Sequence, residues 1–175
     1  DEVIGKRTAV ECHANPDLVH RVVHFTLVDR QNKKILISQR SFEVKFDSGK
    51  WCFMGEHVLS GETYEDAVQK GVKDELGVNC RNFSEAAHKI FSYATQTEFV
   101  RFFLVDWNGE TISPSSAEIV DIKWLSQDEL LAGKDTYSEM TQHWVEVIDW
   151  KTFLYDLSKP EDAARQLAKK LDLEL

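Results

Sequence analysis

Residues 55–78 read GEHVLSGETYEDAVQKGVKDELGV. The second half of this stretch predicts a helix over residues 63–76. Gly61 precedes it, Glu62, Glu65 and Asp66 put negative charge at its amino end, and Gly77 follows it. The helix dipole and a left-handed terminating residue favour that arrangement. Tyr64, Ala67, Val68, Val72 and Leu76 recur at helical spacing and give one apolar stripe. Asp74 and Glu75 sit less comfortably, because carboxylates near the carboxyl end meet the negative pole of the dipole. Carboxylates one turn apart share a face, and they repel unless a hard cation stands between them. Mg2+ takes oxygen ligands, keeps some of its waters and grips phosphate oxygens. From such a site it activates water and neutralises developing charge.

The stretch resembles the Nudix box, G-x5-E-x7-R-E-U-x-E-E-x-G-U with U apolar. In that family the box is a loop, a helix and a loop whose glutamates bind a divalent metal, and the metal binds a substrate diphosphate. Glu62 matches the first glutamate, Val72 the apolar position, Glu75 one glutamate of the pair, and Gly77 and Val78 the closing pair. Lys70 stands for the arginine and Asp74 for the other glutamate. Glu56 stands at the opening glycine, with Gly55 beside it, and Gly71 replaces a metal-binding glutamate. A carboxylate at 71 would share a face with 74 and 75, so restoring Glu there is expected to raise activity.

The resemblance implies one α+β domain over residues 1–175, an α/β/α sandwich with a mixed sheet. It also implies metal-dependent hydrolysis of a small diphosphate-containing substrate. Glu62, Asp74 and Glu75 would hold Mg2+ or Mn2+. Glu75, Glu98 and Glu118 are the candidate catalytic carboxylates, the last two as a further ligand or base. A domain that keeps the fold and binds without turnover is the non-enzymatic alternative, which Gly71 and Asp74 favour.

The amino-terminal half, with LVHRVVHFTLVDRQNKKILISQRS, also resembles one Nudix branch, isopentenyl-diphosphate isomerase. His13 and His20, seven apart, match two of that enzyme's metal-binding histidines. His57 falls at the third and Glu98 at one of its carboxylates. Such a set suits Mn2+, Mg2+ or Zn2+. That isomerase places a cysteine two residues before its third histidine, where this chain has Gly55; Cys52 lies five before His57. If Cys52 carried the proton instead, Cys52→Ala would abolish isomerisation.

Outward from the box, residues 21–29 (RVVHFTLVD) and 34–40 (KILISQR) read as paired strands joined by a polar turn. Residues 42–50 form a loop, and with 95–97 they are the expected specificity loops. Arg40, Lys45 and Lys50 are candidate diphosphate contacts, Arg40 in bidentate fashion. Residues 90–93, 98–107 and 118–124 read as strands. Ser126 with Glu129 resembles a capping box, residues 141–156 read as an aromatic-rich helix, and Ser158, Pro160 and Glu161 open a last one ending near Leu171. Strands, helix, strands and helices in that order predict a mixed sheet with helices packed on it. His24 is expected to be packed in its strand, His88 and His143 to lie on the surface, and Trp107, Trp124, Trp144 and Trp150 to lie in the core.

The 175 residues fit one domain. A formal charge of −9 argues against general affinity for nucleic acid or anionic membranes. Three cysteines without a Cys-x-x-Cys pair point to neither a disulfide framework nor a zinc ribbon. A reducing, cytoplasmic setting is therefore expected, with no opening signal peptide and no apolar run long enough for a membrane span.

Overall fold

A computed structural model describes residues 1–115 and 117–155. The helix expected beyond Ser158 lies outside the described residues. The first element is a single turn, α1 (Ala9–Cys12), closed by a capping box in which Thr8 and Glu11 satisfy each other's backbone donors. Seven strands follow among the described residues: β1 (Val19–Asp29), β2 (Lys34–Arg40), β3 (Trp51–Cys52), β4 (Met54–His57), β5 (Phe83–Ser92), β6 (Thr97–Asp106) and β7 (Ile119–Leu125). The central pair, β1 and β6, is parallel over its whole length, and every other pair is antiparallel. The sheet is therefore mixed.

One flank of β1 is shared by two partners. Near its end Val28 and Asp29 pair with β2, and nearer its start Val22 to Phe25 pair with β4. The expected hairpin thus exists only close to its turn, where Asp29 accepts from the backbone and the side-chain amide of Asn32.

The period-two alternation of central strands sends residues to two cores. Val23, Phe25, Leu27, Phe103 and Val105 face α2 (Tyr64–Leu76), while Val22, Val28, Phe102 and Leu104 face the opposite way. That second core is built with α3 (Gln127–Ala132), α4 (Glu139–Val147) and α5 (Trp150–Leu154). The result is the expected α/β/α sandwich.

Helix α2 starts at a Thr63/Asp66 capping box and stops at Gly77, whose φ of 71° is the left-handed conformation glycine adopts without penalty. Its buried stripe is Tyr64, Ala67, Val68, Gly71, Val72 and Leu76. Each fully buried Val or Leu there contributes roughly 1.5–3 kcal/mol.

Three sequence expectations change. Strand β5 begins at Phe83 rather than residue 90; a register shift between Glu85 and Ala87 and a half-exposed face remove the alternation that would have marked it. The aromatic-rich helix is two helices. Ile148 turns extended, and Asp149 caps the second through Thr152. Trp144 and Trp150 are core residues as expected, but Trp107 and Trp124 are only half-buried, their rings in contact and tilted at 47°.

Candidate metal centre and carboxylate cluster

His13 ends the α1 turn, His20 opens β1 and His57 closes β4. His57 pairs with Val22, so it shares the face of His20 two residues along the sheet. The three rings come together with centroids 5.1 to 5.4 Å apart. One nitrogen from each lies within 4.8 Å of the others, and His13 Nε2 is 3.0 Å from His57 Nε2. Across the parallel pair His20 faces Glu98, whose Oε1 lies 3.7 Å from His20 Nε2 and accepts from Gln96 Nε2 at 2.8 Å.

Burial favours the neutral forms of His20, His57 and Glu98. Burial, then the neighbouring histidines and Lys70, hold His57 down to about 4. Burial and His13 lower His20. Burial alone raises Glu98 to about 7, and burial with the Glu98 charge raises the phenol of Tyr93. Neutral imidazole is the form that ligates metal.

Polar groups buried without partners each cost about 1–3 kcal/mol and are rare in folded proteins. Here both ring nitrogens of His20, Oε2 of Glu98, Oε1 of Gln96 and the Tyr93 hydroxyl are buried atoms that make no hydrogen bond among the described residues. A divalent cation on the histidine nitrogens and Glu98 would satisfy several of them, and this nitrogen and carboxylate set fits Mn2+, Zn2+ or related ions.

The box carboxylates form a second group on the other face of β4. Glu56 pairs with Val23 and so points toward α2. Glu75 is raised to about 7 by burial first, then by Glu118 and Glu56, with Arg40 opposing and Asp74 adding a smaller push. Glu62 is occupied differently: it accepts from the Leu59 backbone at 2.8 Å, and Lys70 bridges it and Glu56 at 3.5 and 3.6 Å. Asp74 and Glu118 are exposed. Of the proposed carboxylates, Glu98 thus stands with the histidines, while Glu118 stands with Glu75.

Gly71 is not an empty ligand position. A Cβ there would meet Phe25 Cε1 at 2.7 Å and Glu56 Cβ at 3.0 Å. Two of the departures from the box, Glu56 for glycine and Gly71 for glutamate, touch each other. Restoring Glu at 71 would force a carboxylate into the packed α2 face, so the expected gain in activity is not what this packing allows.

Arg40 donates to the Phe46 carbonyl and lies within electrostatic reach of Glu75. Lys45 and Lys50 are exposed, one over the Phe46 ring and the other 3.1 Å from Asp47. Cys52 is buried against Ser38, and burial lifts its thiol to about 11. His24 is packed as expected. His88 is exposed beside Glu85, whereas His143 is half-buried against Phe91 and Trp144. Sequence reading missed Tyr93 and Gln96, which sit in a polar turn without a motif. It also passed over Glu56, whose signal was a carboxylate where the pattern has glycine.

Residues 18–145 match the profile of the NUDIX domain. The chain belongs to the Nudix family. Among curated Nudix relatives, an NAD-capped RNA hydrolase of Vibrio vulnificus is 28% identical over 101 residues, 58% of this chain and 37% of the relative. This chain therefore spans little more than a third of that relative's length. An isopentenyl-diphosphate Delta-isomerase of Brevibacterium linens is 26% identical over 151 residues, 81% of each chain. Among solved structures, a Deinococcus radiodurans protein superposes with a TM-score of 0.70 at 23% identity, covering 85% of this chain and 94% of that one. A MutT protein of Methanosarcina mazei gives 0.69 at 20% identity, covering 79% and 96%. At those identities the structures speak for the fold alone. No helix among the described residues is long and apolar enough to cross a membrane.

Proposed function

We propose that this Nudix protein is a metal-dependent hydrolase of a small diphosphate-containing molecule, with its principal metal held by His13, His20, His57 and Glu98. The observation that carries the reading is the convergence of three histidine nitrogens within 4.8 Å beside a buried, unpaired Glu98 oxygen. A bound Mg2+ or Mn2+ would supply charge neutralisation at the phosphate oxygens. The diphosphate would span the edge of β4, where Lys70 acts on both His57 and the box carboxylates, so that Glu75, poised near 7, takes the proton of a water whose oxygen bonds to phosphorus, and the bridging oxygen leaves with the electrons of the broken bond. Glu118 and Glu56 keep Glu75 basic enough for that task. Arg40 meets the non-bridging phosphate oxygens, and Lys45 and Lys50 steer the anion toward them. Glu62 and Asp74 contribute to metal affinity through charge.

The isomerase is the second reading, favoured by the histidine set and by the 81% coverage. Against it, no thiol among the described residues joins the histidines, since Gly55 stands at the expected position and Cys52 is locked against Ser38. The test is Mn2+ calorimetry on wild type and His57→Ala, followed by turnover of a panel of diphosphates and of isopentenyl diphosphate. Hydrolysis that tracks Mn2+ binding supports the proposal. Isomerisation without hydrolysis sinks it in favour of the second reading, and binding without turnover would favour the non-enzymatic one.

A further inference from the structure

His24 sits on the same face as His20 and His57, pairs with Gly55 across β4, and is 7% exposed. The indole nitrogen of Trp144 lies 2.9 Å from His24 Nδ1. An indole N–H only donates, so Nδ1 must accept and the neutral ring carries its proton on Nε2. Trp144 is itself fully buried, with Phe102 and Phe91 rings at 5.3 and 5.4 Å, so the lock is rigid. Among the described residues, no hydrogen bond engages Nε2.

What Nε2 faces is set by Gly55. That residue is exposed, and a Cβ on it would lie 3.0 Å from His24 Cδ2 and 3.3 Å from Nε2. Any side chain at 55 would therefore roof the ring edge. Glycine leaves that edge open beside His57, two residues further along β4.

We propose that His24 is a substrate-binding donor: Trp144 fixes its proton on Nε2, and that N–H, uncovered by Gly55, donates to a non-bridging oxygen of a diphosphate held at the histidine centre. The inference rests on the hydrolase reading for the identity of the anion. Burial, which holds the ring down to about 4, is consistent with a donor that stays neutral at working pH and does not add to the cluster's charge. The role is fixed recognition of phosphate oxygen, not proton transfer.

The test uses the whole chain with Mn2+ and then inorganic pyrophosphate as probes, comparing wild type, His24→Phe and His24→Gln. The Gln amide places an N–H near the position of Nε2. The expected result is unchanged Mn2+ affinity in all three. His24→Phe should lose about 10-fold in pyrophosphate affinity, the scale of one charge-assisted hydrogen bond, and His24→Gln should recover most of it. Nitrogen-15 spectra of wild-type histidines serve even if His24→Phe fails to fold: His24 should show the Nε2–H tautomer, and its Nε2 signal should move on adding pyrophosphate. Equal pyrophosphate affinity in His24→Phe, or an unmoved His24 signal, overturns this inference alone. Loss of Mn2+ from His24→Phe overturns it too, because His24 would then be a ligand. A wild type that binds no Mn2+ overturns the hydrolase reading and this inference together.

Discussion

Gly71→Glu, the change that would repair the box, should damage the protein. Two terms oppose each other for the simpler Gly71→Ala. Alanine is worth about 1 kcal/mol over glycine in a helix. Its Cβ, however, would press 2.7 Å from Phe25 Cε1. Phe25 is 0% exposed within the α2 core, so its ring has no open side. Overpacking of this kind costs about 1–3 kcal/mol, leaving a net loss of about 0–2 kcal/mol. Glutamate adds a carboxylate beside Glu56 on a buried face, where an uncompensated charge costs several kcal/mol or shifts its protonation. A loss of about 3 kcal/mol would lower the Tm by roughly 6–12 °C in a chain of this size. Thermal and urea unfolding of both variants, followed by circular dichroism, read the effect directly. Because positions 56 and 71 touch, Gly71→Glu combined with Glu56→Gly should lose less than the sum of the two single changes. If Gly71→Ala is about 1 kcal/mol more stable than wild type, the ring yields freely and the packing argument is wrong.

Glu75 ionises near 7 in the fold against 4.5 when free. Its contribution to stability is complete below 4.5 and is lost as pH rises through 7. Glu75→Gln should therefore stabilise the chain at pH 8, by about 1–2 kcal/mol once solvent screening at this partly exposed site is allowed for, leave it unchanged at pH 4, and remove turnover; equal melting points at pH 8 would refute the burial. Cys52→Ala should leave Mn2+ affinity and hydrolysis intact, and loss of turnover in a folded Cys52→Ala would return the thiol to the chemistry. Thr8→Ala removes the cap of α1, worth about 1 kcal/mol. It should weaken Mn2+ binding several-fold by loosening His13, and calorimetry showing the wild-type affinity would mean that α1 does not position that ring.

The long periodic elements were legible in the sequence because their signals are local. The stripe on α2, its two glycine neighbours and the Ser126 and Glu129 cap depend on residues a few positions apart, and all reappear in the structure. Strand β5 was half missed because its register shift breaks the alternation that would announce it. The α4 to α5 break was missed because Ile148 and Asp149 are compatible with helix in isolation, and only tertiary packing makes them turn. His13, His20, His57 and Glu98 were nameable from a family likeness alone, since spacing cannot show that residues 13 and 57 meet. Tyr93 and Gln96 carried no signal: their significance lies in where they stand beside Glu98, with the Tyr93 hydroxyl and Gln96 Oε1 buried without a hydrogen bond, and that exists only once the chain has folded. Gly71 read as a lost ligand because sequence shows which side chain is missing and not what stands in its place.

The parallel pairing of β1 with β6 has a consequence for how the chain reaches this structure. Val19 meets Thr97, so the central seam closes only after a long intervening segment has been gathered in, and closure entropy rises with that length. Such a topology folds slowly compared with one made of neighbouring hairpins. During synthesis the apolar run of β1 emerges well before the strand that covers its flank, and the interval exposes it to wrong partners. Any shortened version ending before Thr97 would lack the central seam entirely, and with it the Glu98 that completes the histidine centre.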